Sequence, residues 1–201
     1  QKITTIYTLG QMDCEKIVVL GLGDGKKNIK QAFAKVECDD YFVYVNKNTA
    51  YAAGFGLVYG AYSYKETKVY DIECDSCSDL FEKGKMTAQI INHARELSDM
   101  PSNYMTPDHF VEEAKMVADQ YDMEIEVLDN EDLMEIGAGA LLAVNQGSNR
   151  PCYMVVLRYD GGSEEQEYTA LVGKGITYDA GGYNIKSNMH GMKYDMCGAA
   201  N

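Results

Sequence analysis

The sequence is short of basic charge. Against 31 Asp and Glu stand 18 Lys and Arg, a formal charge of −13 at pH 7. Proteins that coat phosphate backbones present stripes of Lys and Arg, so nucleic acid is not expected as a partner. No apolar run approaches the roughly 18 residues that a membrane-spanning helix needs, so no membrane partner is expected either. No basic segment followed by an apolar one stands at the start, and nothing therefore marks the chain for secretion. The sequence opens on Gln1 rather than Met, which leads us to expect a piece of something longer. Internal repeats and low-complexity segments are also missing. What remains is 46% hydrophobic and 24% charged, the balance of a globular protein rather than a disordered one. A length of 201 residues predicts one or two domains with a real core.

Six cysteines, at 14, 38, 74, 77, 152 and 197, are too sparse for a small disulfide scaffold, and reduced thiols in a cytosol are expected. Cys74 and Cys77 form a Cys-x-x-Cys pair. Zinc would need a second pair, and Cys14, Cys38, His93 and His109 show no partner spacing. Two thiols in an acidic linker is the reading we adopt. Gly21, Gly23 and Gly25 suggest a phosphate loop, but both motifs fail. A dinucleotide fingerprint needs Gly where Lys26 stands, and a Walker loop needs Gly and Ser or Thr where Leu20 and Lys27 stand. A turn requiring positive φ accounts for these glycines.

Along the chain, the β-branched runs 3–7 and 16–20 predict strands. Residues 28–36 predict a short helix, 41–45 a strand, 49–64 a helix whose small residues pack closely on a sheet, and 68–72 another strand. The acidic stretch 73–79 lacks large apolar residues, and we place a domain boundary there, giving domains 1–78 and 79–201. Leu80, Met86, Ile90, Ile91, Ala94 and Leu97 then mark a helix ending before Pro101. Thr106-Pro107-Asp108 is a helix start: an N-cap, a proline in the first turn and an acid suited to the dipole. Further strands are predicted at 124–128, 140–144, 153–157 and 169–172, and a short helix at 131–136. Gly198-Ala199-Ala200 reads as the beginning of a helix. The expected fold is α/β: a small N-terminal α/β domain, then a mixed sheet with helices on both faces.

Most chemistry lies in the last thirty residues or so. The predicted buried strand 169–172 delivers Lys174 at its C-terminal edge, where functional groups of open α/β sheets gather. Asp179 follows in a glycine-rich turn, then Lys186 and Asp195. Two lysines and two aspartates on irregular backbone can build a site in which carboxylates bind hard cations and a lysine supplies positive charge. The same residues also make an ordinary solvated turn.

Val172-Gly-Lys-Gly-Ile-Thr-Tyr-Asp-Ala-Gly-Gly182 resembles the signature Val-Gly-Lys-Gly-(Ile/Leu)-Thr-Phe-Asp-Ser-Gly-Gly of the leucyl aminopeptidase family, the cytosol aminopeptidases of peptidase family M17. Lys186 and Met192-Lys-Tyr-Asp-Met196 resemble the elements that follow it. Ala94-Arg-Glu-Leu97, Pro101-Ser-Asn103, Thr106-Pro107 and Ala143-Val-Asn-Gln-Gly-Ser148 resemble upstream motifs. The resemblance implies a macro-domain-like N-terminal domain, then the first part of a zinc-peptidase-like catalytic domain.

The resemblance further implies a cytoplasmic homo-hexamer that releases N-terminal residues such as Leu or Met from peptides with a free N-terminus. Two divalent ions (Zn, Mn, Co or Mg) are implied as cofactors, with Lys174, Asp179 and Asp195 as ligands and Asp179 bridging. A lysine ligand must be a neutral amine, and only adjacent divalent charge could hold off a proton whose reference pKa is about 10.4. Lys186 matches a catalytic lysine that stabilises the developing oxyanion. Met192 matches a residue lining the pocket for the first side chain; its chemistry equally suits a gap-filling core methionine.

Some features depart from the family pattern. The later Asn-Thr-Asp-Ala-Glu-Gly-Arg segment has no counterpart here, Ala180 replaces Ser, and Cys197 stands where Gly is commoner. The loop from Lys186 to Asp195 is a little short, so Lys186 could be aimed differently. His190, in that loop, reads as a surface residue. We expect a fragment that is inactive alone. The alternative is a non-catalytic module whose N-terminal domain binds an ADP-ribose-like ligand or serves assembly, with Gly21–Gly25 as its glycine-rich loop.

Overall fold

A computed structural model describes residues 2–21, 29–36, 40–69, 71–75, 77–162 and 167–201. The glycine-rich stretch beyond Gly21 and Cys38 lie outside the described residues. The chain forms two compact units, residues 1–96 and 97–201. Its class is mixed α/β, with three two-stranded sheets among the described residues.

In the first unit the β-branched runs pair as an antiparallel hairpin of β1 (Lys2–Tyr7) and β2 (Lys16–Gly21). A short helix α1 (Ile29–Phe33) precedes β3 (Asp40–Val43) and α2 (Ala50–Ala61). β4 (Asp71–Cys74) pairs parallel with β3, in a register matching Asp40 to Asp71 and Val43 to Cys74. That pairing starts the strand three residues and ends it two residues later than the predicted 68–72, because it is set by the partner and not by the apolar run. The small residues of α2 do allow close approach, chiefly to other helices. A Cβ on Gly54 would meet the Phe81 carbonyl oxygen at 2.2 Å, and one on Gly56 the Lys30 carbonyl oxygen at 2.4 Å. Val43, Ala50, Ala53, Leu57, Ile72 and Phe81 form the core, and Cys74 and Cys77 pack against it. This gives both half-buried thiols a structural role.

The long helix α3 (Ser78–Asp99) forms as expected and ends before Pro101. Its buried face matches the predicted one only in part: Leu97 is buried as expected. Phe81 and Ala88 are fully buried, whereas Met86 and Ile90 are more than half exposed. Gly84 explains the rotation: a Cβ there would meet the Tyr51 carbonyl oxygen at 2.2 Å, so the side bearing the smallest residue faces α2.

The second unit begins with the end of α3 and continues into α4 (Pro107–Gln120), whose Thr106 cap accepts a bond from the His109 amide at 3.3 Å. β5 (Glu124–Leu128) and β6 (Met154–Arg158) pair antiparallel. Between them α5 (Asn130–Glu135) starts in a capping box built by Asp129 and Asp132. The predicted strand 140–144 is instead helical, as α6 (Gly139–Asn145). Ala-Leu-Leu-Ala favours helix, and five apolar residues carry no periodicity that could decide. The predicted strand 169–172 is irregular, with Leu171 and Val172 over nine-tenths exposed. Among the described residues no strand pairs with it, so its apolar run has no ladder to join. α7 (Met189–Lys193), a 3₁₀ turn (Tyr194–Met196) and α8 (Cys197–Ala200) close the described chain. Met196 is buried with Leu97 and Met105.

Candidate active site

The glycine-rich stretch places its charged side chains through close backbone contacts. At Gly173 a Cβ would meet the Gly198 carbonyl oxygen at 2.4 Å, so the chain before Lys174 lies directly on α8. The Ala199 amide donates to the Lys174 carbonyl at 3.1 Å. Downstream, the Asp179 amide donates to the Met192 carbonyl at 2.8 Å, and the Lys186 amide to the Ala180 carbonyl at 2.9 Å. The second bond closes a loop that returns Lys186 toward Asp179. Gly181, at φ +92°, and Gly182, at φ +63°, make the turn, and both angles favour glycine.

Within this frame four side chains from separate turns converge. Lys174 Nζ lies 2.8 Å from Asp195 Oδ2 and 3.6 Å from Asp179 Oδ2. Lys186 Nζ lies 2.8 Å from Asp195 Oδ2 and 3.2 Å from Asp179 Oδ2. Asp179 is oriented by the Gly181 amide, which donates to Oδ1 at 2.8 Å, leaving Oδ2 to face the amines. Lys186 also donates to the Gly191 carbonyl at 2.7 Å. Despite the short loop from 186 to 195, its amine reaches both carboxylates.

Electrostatics follow from these contacts. Hydrogen bonds from Lys174, then from Lys186, hold the Asp195 carboxyl well below the usual carboxylate range. The bond to Asp195 raises Lys186 above the ordinary lysine value; burial opposes this, and Asp179 adds to it. Lys186 therefore stays cationic at neutral pH. Two acids facing two lysines leave the cluster near charge balance inside a strongly acidic chain.

Met192 is half-buried, and its Sδ accepts a bond from the Tyr178 hydroxyl at 3.3 Å. His190 is exposed on α7 and stacks on Tyr194 with centroids 6.0 Å apart, as a surface residue would. Asp99 and Tyr194 have no role in the sequence-based reading. The Tyr194 hydroxyl, pushed up by burial and then by its bond to Asp99, donates to Asp99 Oδ1 at 3.2 Å. Adjacency to Asp195 was the one signal that could have drawn attention to Tyr194. Among the described residues no group of three or more His, Cys, Asp or Glu is placed to hold a metal ion. The donors gathered here are two carboxylates and a lysine nitrogen.

Residues 92–201 match the family model described as the catalytic domain of the cytosol aminopeptidase family, which is over half of the chain. The chain belongs to the cytosol aminopeptidase family. All four clustered side chains fall inside that match. A probable cytosol aminopeptidase of Bacillus subtilis strain 168 is 47% identical over 119 residues, 58% of this chain and 24% of that protein. A probable cytosol aminopeptidase of Mycoplasma pneumoniae is 35% identical over 181 residues, 82% of this chain and 41% of that protein. The chain thus spans about a quarter to two-fifths of the length of these curated relatives. The bottromycin maturation enzyme BotP in complex with Mn superposes with a TM-score of 0.84 at 24% identity, covering 99% of this chain and 48% of that one. That likeness is one of fold.

Proposed function

We propose that this chain contributes part of the catalytic centre of a metal-dependent leucyl aminopeptidase, releasing residues such as Leu and Met from the N-termini of peptides. The observation that carries the reading is the convergence of Lys174, Asp179, Lys186 and Asp195 inside the family-matched region. Residues 79–201 belong to the catalytic domain in this reading, and residues 1–78 form the smaller N-terminal one.

The donor set suits two divalent cations. Asp179 and Asp195 offer hard oxygens, and Lys174 offers a nitrogen 3.6 Å from the first and 2.8 Å from the second. Zn, Mn, Co and Mg all accept such donors, and Mn is the ion named with BotP. When bound, such a pair supplies Lewis acidity and lowers the pKa of water at the site. Lys174, Asp179 and Asp195 would hold the ions. Lys186 stays charged and donates to the carbonyl oxygen that becomes negative as the scissile peptide turns tetrahedral. Met192 lines the pocket for the first side chain.

Two carboxylates and one amine are a sparse protein donor set for two ions, and in this reading residues 1–201 alone give no turnover. The relatives' names support a cytoplasmic setting, and the family resemblance supports hexameric assembly. In the described residues no helix is long and apolar enough to cross a membrane.

The test is hydrolysis of leucyl p-nitroanilide by the intact protein with Mn²⁺, before and after chelation. Loss of activity on chelation, recovery with Mn²⁺, and joint loss of metal and activity in Asp179→Ala are the expected results. Full activity in Asp179→Ala would overturn the reading.

A further inference from the structure

We propose that Asp99, acting through Tyr194, is a positioning residue for the Asp195 carboxylate. The inference rests on the reading of Asp195 as a metal-holding group and adds the means by which the chain fixes it.

Asp195 sits in the 3₁₀ turn Tyr194–Met196, a short element with little stiffness of its own. Its position is therefore set by its neighbours. On the downstream side Met196 is 1% exposed and packs with Leu97 and Met105. On the upstream side both preceding residues are tied to Asp99, the last residue of α3. Tyr194 donates from its hydroxyl to Asp99 Oδ1 at 3.2 Å, and Lys193 donates from Nζ to the Asp99 carbonyl. The Lys193 cation thus meets a helix C-terminus, where unpaired carbonyls and the dipole favour positive charge. Cys197 adds a thiol contact to Ser98 Oγ at 3.6 Å.

These ties join residues more than ninety positions apart in sequence, and they flank Asp195 on both sides. They touch neither Asp179 nor Lys186. The Tyr194 ring is itself held: His190 stacks on it nearly parallel, at an interplanar angle of 4°, and Lys193 Nζ lies 4.9 Å from its centroid. With the ring fixed, the hydroxyl transmits the position of Asp99 to the backbone of residue 194 and so to Asp195. Without it, the turn keeps the Lys193, Met196 and Cys197 contacts, but the residue next to Asp195 loses its side-chain anchor.

The test is Mn²⁺ binding by the intact protein, read from the electron paramagnetic resonance signal of free aquo-Mn²⁺, with thermal unfolding to confirm folding. Partners that orient metal-holding groups typically contribute about ten- to hundredfold in affinity. Tyr194→Phe, which keeps the ring, and Asp99→Ala are each expected to weaken binding about tenfold or more. Asp99→Asn retains an acceptor oxygen and is expected to stay within about threefold of the parent. Parent-like affinity in Tyr194→Phe and Asp99→Ala would overturn the proposal, as would equal losses in Asp99→Asn and Asp99→Ala. Asp195→Ala separates the two readings. If it also binds Mn²⁺ like the parent, the metal reading fails; if it alone loses Mn²⁺, only the positioning role fails.

Discussion

Replacing Gly181 by Ala should disable the candidate site through backbone geometry alone, and Gly182→Ala supplies the control. At φ +63° with nothing within 4 Å, a Cβ on Gly182 meets only the intrinsic cost of the left-handed region, about 1–2 kcal/mol. At Gly181 the φ of +92° lies beyond that region's centre, and the Cβ would stand 2.3 Å from the Asn184 carbonyl oxygen. That oxygen must retreat by about 0.7 Å to reach the 3.0 Å that real Cβ contacts respect. The movement strains the bond from the Lys186 amide to the Ala180 carbonyl, now 2.9 Å, worth about 1 kcal/mol net. Gly181→Ala should therefore cost about 2–4 kcal/mol, and Gly182→Ala about half as much. Urea unfolding followed by circular dichroism measures both, and Mn²⁺ binding by the intact protein reads the effect on the site. Only Gly181→Ala should displace Lys186 and Asp179. Equal stability losses with equal Mn²⁺ affinity in the two variants would refute the reasoning.

Further expectations concern charge, pH and the core. Lys186→Ala in the intact protein should keep its metal and lose about 10²–10³ in kcat with little change in KM, as for a donor acting on the transition state; unchanged turnover of a leucyl anilide would remove the assigned role. The lowered pKa of Asp195, whose ordinary value is near 3.8, means the folded state favours its ionised form. That contribution to stability is complete above about pH 5 and drains away as pH falls through and below the ordinary value. Lys186, raised above 10.5, contributes fully below that value and loses its share only as pH rises past it. The urea midpoint of the metal-free protein should fall more steeply below pH 4 than that of Asp195→Asn. In the first unit Phe81, 0% exposed, should cost about 3–5 kcal/mol on truncation to Ala, whereas Met86, 61% exposed, should cost under about 1 kcal/mol; denaturant titration compares the two.

Local chemistry was legible where one segment contains its own cause. Thr106 and Pro107 announced α4, and the β-branched runs announced β1 and β2, because caps and alternation depend on neighbours in sequence. Residues 140–144 were misread since a short apolar run looks alike as helix or strand. The strand expected at 169–172 failed for a different reason: a strand exists only beside a partner, and Leu171 and Val172 lie exposed with none among the described residues. The buried side of α3 depends on Gly84 fitting against α2, which a count of large apolar residues ignores. At the site, the motif singled out Lys174, Asp179, Lys186 and Asp195, and in the fold each of the two amines lies within 3.6 Å of both carboxylates. Of the contacts around the group, the one from Tyr194 to Asp99 had no signal beyond the place of Tyr194 next to Asp195, and the one from Gly181 to Asp179 only the glycine-rich turn. They arise from tertiary approach and from a backbone angle.

The most direct measurement is anomalous diffraction from crystals of the intact protein grown with Mn²⁺. The account predicts manganese peaks bounded by the Asp179 and Asp195 carboxylates and the Lys174 nitrogen, at about 2.0–2.3 Å from these donors. Strong peaks elsewhere, with Lys174 still paired to Asp195 as an ammonium, would contradict it.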